Sequence, residues 1–511
     1  MSFGTVSAPQ FRVGYSNLAP QTIACRLLCV VSLSLSPAVS PAAEPVPELA
    51  WVVSITNSYA SMVVADDGSI YGAGRGNANG TNLNRLFKWD NTGSFVWARD
   101  VGQLGWAYDY DVARAVALDR QGHVYFAATF TGNVTIGNET LTNDSGLDHL
   151  FLAKFSTSGT LSWAVADTEV YTNYYPYSVA ADSSGNVYVA GNRTLVQGPN
   201  FEDQSNFLRK YGPDGALLWE RRSLRFGIGP RISAFVDRSD HVRLVGYYNA
   251  VYPYGTLVPD SSETRFQCFI AKHDPDGNVM WLKNIATNGH DFFQTGCAMD
   301  SQGCVWLAGE YGRNLDLGEV VLTNTTTTPR AFLAKIDSTG RTVAVVESGG
   351  NARAVFVRVA TDAADNVYAT SPGYWSGATI GYTNLPRQYS IAKFDSQGSL
   401  HWLYGTHLLS DPIVLAVDSA ANLYAAKQGS MLKLGSTGPP LHFVSQAGGV
   451  SLNWSSLAEG FRLEATLGLA DSNWMPVATN TLRITPTSIE VTLPSTASRQ
   501  FFRLHKPAEA P

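Results

Sequence analysis

The chain has 511 residues, of which 45% are hydrophobic and 15% charged, and its formal net charge is −6. That is apolar enough to bury a core and excludes a disordered chain. With no basic run it also excludes nucleic acid as a partner, because phosphate binding needs clustered Lys and Arg.

The N-terminus reads as an export signal covering residues 1–43. Arg26 precedes the apolar run "LLCVVSLSLS" from Leu27, followed by small-residue "PAVSPAAEP". The run is too short to span a bilayer, and small residues near Ala42 and Ala43 suit a signal peptidase. The stretch before Arg26 is long for a leader, which points to a true start further downstream. The expected product is secreted, at the cell surface or in the periplasm, monomeric, with no transmembrane segment once the signal is gone. Cys25 and Cys29 fall in the leader, leaving Cys268, Cys297 and Cys304. An odd count argues against a disulfide framework. Cys297 and Cys304 flank one turn and could meet across a hairpin; inert core thiols are the other reading.

From Asp66 onward one short unit recurs. "DSSGNVYVAGN" at 182–192 shows it best: an Asp turn, then an apolar run. Its turn position is held by Gly68, Gly122, Gly185, Asp240, Gly303, Asp365 and Ala421, about sixty residues apart. In six copies an Asp stands three residues earlier; its side chain can bond its own backbone, while Gly tolerates positive φ. Asp240 and Asp365 are acceptable left-handed substitutes, and Ala421 is the weakest copy. The runs that follow, such as "HVYFAA" and "CVWLAG", are apolar on both faces and predict strands covered on both sides.

A second signature follows each run: "FLAKFSTSGTLSW", "FLRKYGPDGALLW", "FIAKHDPDGNVMW" and "SIAKFDSQGSLHW". The spacing from Lys to Trp is constant at Lys88–Trp97, Lys154–Trp163, Lys210–Trp219, Lys272–Trp281 and Lys393–Trp402. After Lys335 the Trp is replaced by Ala344. "GPDG" and "DSQG" are hairpin turns. Each unit therefore supplies four strands, a to d, with a and b flanking the Asp turn, Lys on c and Trp on d.

Four strands per unit at this period describe propeller blades. The fold class is all-β: a seven-bladed β-propeller over residues 48–438, with four antiparallel strands per blade, followed by a small β-sandwich. The last unit lacks a d strand, because Pro439 and Pro440 interrupt it. "ELAWVVSI" at 48–55 is spare and carries Trp51. The N-terminal strand is expected to dock as strand d of blade seven and close the ring.

These units resemble the bacterial SBBP family of β-propeller repeats. Loop stretches such as "GNVTIGNETLTNDSGLDHLFLAK" and "RNLDLGEVVLTNTTTTPRAFLAK" are similar to that family too. The resemblance implies a secreted or surface propeller and no particular reaction. Beyond Pro440, "VSLNWSS", "FRLEATL", "SIEVTLP" and "QFFRLHK" predict a fibronectin- or immunoglobulin-like sandwich over residues 439–508. It resembles a C-terminal module of exported bacterial proteins and would act as spacer or attachment.

No hydrolase, zincin, P-loop or dinucleotide motif occurs. No catalytic residue, metal or cofactor is assigned. Asp109 and Asp111 read as solvated loop, since calcium wants six to eight oxygens. The functional hint is aromatic. In a propeller the d–a and b–c connections share one face, and here they are long. They carry Trp106, Tyr108 and Tyr110, then Tyr171, Tyr174, Tyr175 and Tyr177. Tyr248, Tyr252, Tyr254, Phe292, Phe293 and Tyr311 follow, and last Tyr374, Trp375 and Tyr382. Rings beside polar side chains suit a glycan or an extracellular or envelope protein; capping of the core is the alternative for each ring. The leading expectation is a non-catalytic binding or scaffolding propeller. The rival is a propeller enzyme with an axial-funnel site, either a lyase or hydrolase or one resembling quinone-dependent dehydrogenases. "FDSQGSLHW" echoes the latter, although that group typically has eight blades and adjacent cysteines.

Overall fold

The computed structural model describes residues 47–505 apart from 55–57, 79–80, 104–113, 168, 170, 197–201, 223–231, 249–266, 288–291, 373–377, 381–382, 386–388, 407–413, 428–429, 436–441, 447–448, 456–461, 467–474, 478–481, 485–487 and 495–500. The described chain is all-β, and its repeats form seven antiparallel blades. Blade three shows the plan, with a at Thr172–Ala181, b at Val187–Val196, c at Glu202–Tyr211 and d at Leu217–Arg222. The a strands form the inner ring. Each touches the next, from Ser58–Val64 of blade one round to Val414–Val417 of blade seven and back again.

Closure is as expected. Glu48–Ser54 pairs antiparallel with Ser430–Gly435, strand c of blade seven, placing Trp51 opposite Lys433 and Ser54 opposite Ser430. Central strands are buried from end to end: every residue of Val124–Phe130, His149–Phe155 and Val305–Tyr311 is inside. Hydrophobic clusters lie between successive blades, so each core belongs to two repeats.

The two signatures turn out to be one device. Tyr188, Lys210 and Trp219 lie opposite one another on strands b, c and d. Asp182 Oδ1 accepts from the amides of Ser184 and Asn186, closing the a–b turn, and its Oδ2 accepts from the Tyr188 hydroxyl at 3.3 Å. The Lys210 ammonium lies over the Tyr188 ring and donates to the Pro275 carbonyl of the next blade. Trp219 Nε1 donates to the same carbonyl. Gly277, at φ +82°, lies so close to the indole that a Cβ would stand 3.0 Å from it. Motif spacing thus encodes a latch from blade to blade. In blade five the aromatic has moved: Ala344 stands on strand d, and Trp306 on strand b is wholly buried under Lys335.

The left-handed turn positions are confirmed at Asp240 (φ 61°), Asp365 (φ 63°) and Ala421 (φ 60°). Asp240 and Asp365 reward their strain, since their carboxylates accept from Ser183 and Ser301 on the preceding blades. Ala421 has no such side chain. Ala421→Gly is therefore expected to stabilise the fold by roughly 0.5–1 kcal/mol in urea unfolding.

The two quoted b–c loop stretches and one more, from blade six, form hairpins rather than loops. Asn314–Asp316 with Val321–Thr323 extends strand d of blade four through Ala286↔Asp316. Ala378–Ile380 with Thr383–Asn384, from blade six, extends strand d of blade five in the same way. A third, Val134–Ile136 with Glu139–Leu141, packs on strand d of blade one. Each hairpin covers the outer edge of the previous blade.

Cys268, Cys297 and Cys304 are free. Cys297 does not bridge to Cys304: it lies opposite Leu307, while the Cys304 amide donates to Asp300. Cys268 is fully buried, which pushes its thiol pKa well up. Beyond the ring are a four-stranded sheet, built on Gly449–Ser455 and Ser488–Pro494, and a three-stranded sheet built on Arg462–Thr466. These strands are compatible with the expected C-terminal module.

Candidate functional site

The blades reach further toward the d–a and b–c face than turn spacing predicts. Tyr174, Tyr175 and Tyr177 therefore lie on strand a of blade three, and Tyr311 ends strand b of blade five, rather than on loops. Phe292 and Phe293 begin strand a of blade five; their side chains lie outside the description. Trp106, Tyr108, Tyr110, Tyr252, Tyr254, Tyr374, Trp375 and Tyr382 lie outside the described residues.

Alternation decides the fate of the strand residues. Tyr174 points inward and is fully buried, edge-on to Phe207 with centroids 5.2 Å apart and under the Arg209 guanidinium at 4.3 Å. Tyr177 is half-buried and packs on the next blade's core, and Tyr175 is half-buried. Tyr311 is fully buried, its hydroxyl donating to Glu347. Tyr174 and Tyr311 thus cap the core, the alternative reading for these two rings.

What the strands bring together on blade three is Tyr171 and a charge network. Tyr171 is 65% exposed at φ 65°, a left-handed conformation that few bulky residues adopt. The turn around it is tied at several points. Its carbonyl accepts from Val196 N at 2.7 Å, Asp167 Oδ1 accepts from Glu169 N at 2.6 Å, and Glu169 Oε2 accepts from the Tyr174 hydroxyl at 2.6 Å. Strain held in place by surrounding bonds, with the ring left outside, is a reason to ask what the ring meets.

Beneath it, Arg209 is buried between Asp167 and Glu220, with 2.9 Å to Glu220. Arg222 pairs with Glu220 and Glu169, and Arg193 reaches Glu169 at 3.3 Å. Three guanidinium groups thus face three carboxylates. Burial alone would raise the Glu169 pKa, but the Tyr174 hydroxyl and Arg222 outweigh it and hold it at about 2. Glu169 and Arg222 stay about two-fifths exposed beside the Tyr171 turn. An ionised acceptor paired with a guanidinium donor thus lies two residues along the chain from an exposed aromatic ring, groups whose chemistry suits a polar ligand. Sequence reading missed the charged members. The trace of four of them is "ERR" directly after Trp219, with Glu220 and Arg222, and the acids of "ADTE" before Tyr171, Asp167 and Glu169.

The repeat that carries this turn is also the one comparison picks out. Residues 170–192 match SBBP, the beta-propeller repeat. No curated protein matches the chain. Solved structures similar to it include a streptogramin B lyase, at 11% identity over 75% of this chain and 97% of that one with a TM-score of 0.40. The WD40 beta propeller domain of Doa1 aligns at 10% identity over 76% and 96%, TM-score 0.38. A fungal alcohol oxidase in complex with copper aligns at 12% over 88% and 93%, TM-score 0.42.

Proposed function

We propose that this chain is a non-catalytic binding or scaffolding propeller, exported to the cell surface or beyond, that meets a glycan or an envelope protein through its loop face. The observation that carries this reading is Tyr171: an exposed aromatic ring, held in a left-handed turn, two residues along the chain from Glu169, which pairs with Arg222. A flat ring beside paired acceptor and donor suits the faces and hydroxyls of a sugar, or the polar rim of a protein contact. Glu169 is held ionised far below neutral pH, so it serves as an acceptor rather than a proton donor. The strands beyond the ring form, in this proposal, a sandwich that spaces or anchors the propeller.

The test is a glycan array and a pull-down from envelope extract, run with the full chain and with Tyr171→Ala and Arg222→Gln. Loss of the central aromatic is expected to weaken binding at least about tenfold, with melting unchanged. Equal binding by the variants would sink this assignment of the contact.

A further inference from the structure

Tyrosine holds the latch position on strand b in five of the seven blades, at Tyr71, Tyr125, Tyr188, Tyr368 and Tyr424, and blade four departs from it. Tyr125, Tyr188, Tyr368 and Tyr424 each donate to the Asp of their own a–b turn. The position equivalent to them on Val242–Tyr248, strand b of blade four, is Arg243, in register with Lys272 and through it with Trp281. Arg243 is completely buried. Its one carboxylate, Asp237, has Oδ2 at 3.2 Å from Nη2, within ion-pair range but poorly aligned for a hydrogen bond. Nε and Nη1 have no acceptor among the described residues. The guanidinium lies against the turn of blade five, where a Cβ on Gly303 would stand 3.4 Å from Nη2.

The surrounding charges do not balance. Lys154, Lys210 and Lys335 each lie within 4.0 Å of their turn Asp, and the Lys335–Asp300 pair is closed at 2.9 Å. Lys272, like Lys433 of blade seven, makes no such close pair among the described residues, and the carboxylate that acts on it from a distance, Asp237, is the one that faces Arg243. Burial first, and Arg243 second, hold its pKa below the ordinary lysine value. Two cations thus face one carboxylate in a site from which water is largely shut out. Buried N–H groups of a charged side chain are rarely left without an acceptor, and an ordered ion is one of the few groups that supplies both acceptor and charge. His241 does not supply it: its Nδ1, 3.5 Å from Asp237, is itself buried without a hydrogen bond.

We propose that the junction between blades four and five is a binding site for one small inorganic anion, of halide size and charge, held by Nε and Nη1 of Arg243 with the Lys272 ammonium. The ion completes the latch that the tyrosine hydroxyl completes elsewhere, and makes the stability of this junction depend on the medium.

The experiment melts the full chain in chloride and in gluconate at constant ionic strength, and collects anomalous diffraction from crystals grown in bromide. Chloride is expected to raise the melting temperature by on the order of 2–5 °C over gluconate, and a bromide peak is expected beside Arg243. Arg243→Tyr, which restores the residue of the sibling blades, is expected to keep the fold and lose the halide-dependent shift; Lys272→Met is expected to diminish it. Identical melting of the wild type in both salts, an empty bromide map at Arg243, or a shift undiminished in Arg243→Tyr would each overturn the proposal. The bromide map reads the unaltered protein, so it stands even if a variant misfolds.

Discussion

Deletion of residues 44–54 is expected to cost this protein several kcal/mol and most of its soluble yield. The segment contributes the whole of strand d in blade seven, in continuous register from Glu48↔Gly435 to Ser54↔Ser430 apart from one bulge. Each ladder hydrogen bond contributes about 1 kcal/mol net. A folded chain is held by only about 5–15 kcal/mol in total. Deletion also exposes the edge of Ser430–Gly435 as a template for other chains. The expected readout is an earlier urea midpoint and concentration-dependent aggregation, both reversed by adding a synthetic peptide of residues 44–56. A truncated chain that unfolds together with the full one would show that the ring does not depend on this closure.

Arg209→Met is the second large effect, expected to destabilise by about 3–5 kcal/mol. Arg209 and Asp167 each expose only 4% of their side chains. Taking away the guanidinium leaves Asp167 buried without its cation and removes the group that stacks on Tyr174 and Phe207. The double variant Arg209→Met/Asp167→Asn removes the stranded charge and is expected to recover part of the loss, which urea unfolding of all three proteins would measure. Recovery of nothing would place the cost in packing alone. Acid acts on the same cluster with a defined sign. Glu169 has a folded pKa depressed to about 2, so its contribution is present above the ordinary glutamate range and is lost as pH falls toward that value. Arg222→Gln removes one of the causes of the depression and moves that loss to higher pH.

The ring was legible because its grammar is local. Asp turns, the Lys-to-Trp spacing and the orphan strand at Trp51 each follow from turn chemistry and strand period, and their count identifies the missing partner of the seventh unit. The displacement of the aromatic from Ala344 to Trp306 shows the limit of such reading. The latch needs one large ring beside Lys335, and cross-strand neighbours far apart in sequence can supply it from either strand. The b–c hairpins escaped for a similar reason. Their strands are two or three residues long and pair with another blade, so no alternation long enough to see develops within them. At the loop face, aromatic content singled out this part of blade three but could not separate the exposed Tyr171 from the buried Tyr174, three residues away. One is outside because a left-handed residue turns the chain, the other inside because the strand has already begun.

Head-to-tail pairing also sets a timetable for biosynthesis. The segment around Trp51 is among the first parts of the propeller to be made, and its partner at Lys433 is made after six other blades. At roughly 5–20 residues per second, the early strand waits on the order of tens of seconds with its backbone bonded to water instead of a partner strand. During that interval blades one to six can assemble side by side, but the circle stays open. Whatever shields that waiting strand in the cell governs how much of the newly made chain matures.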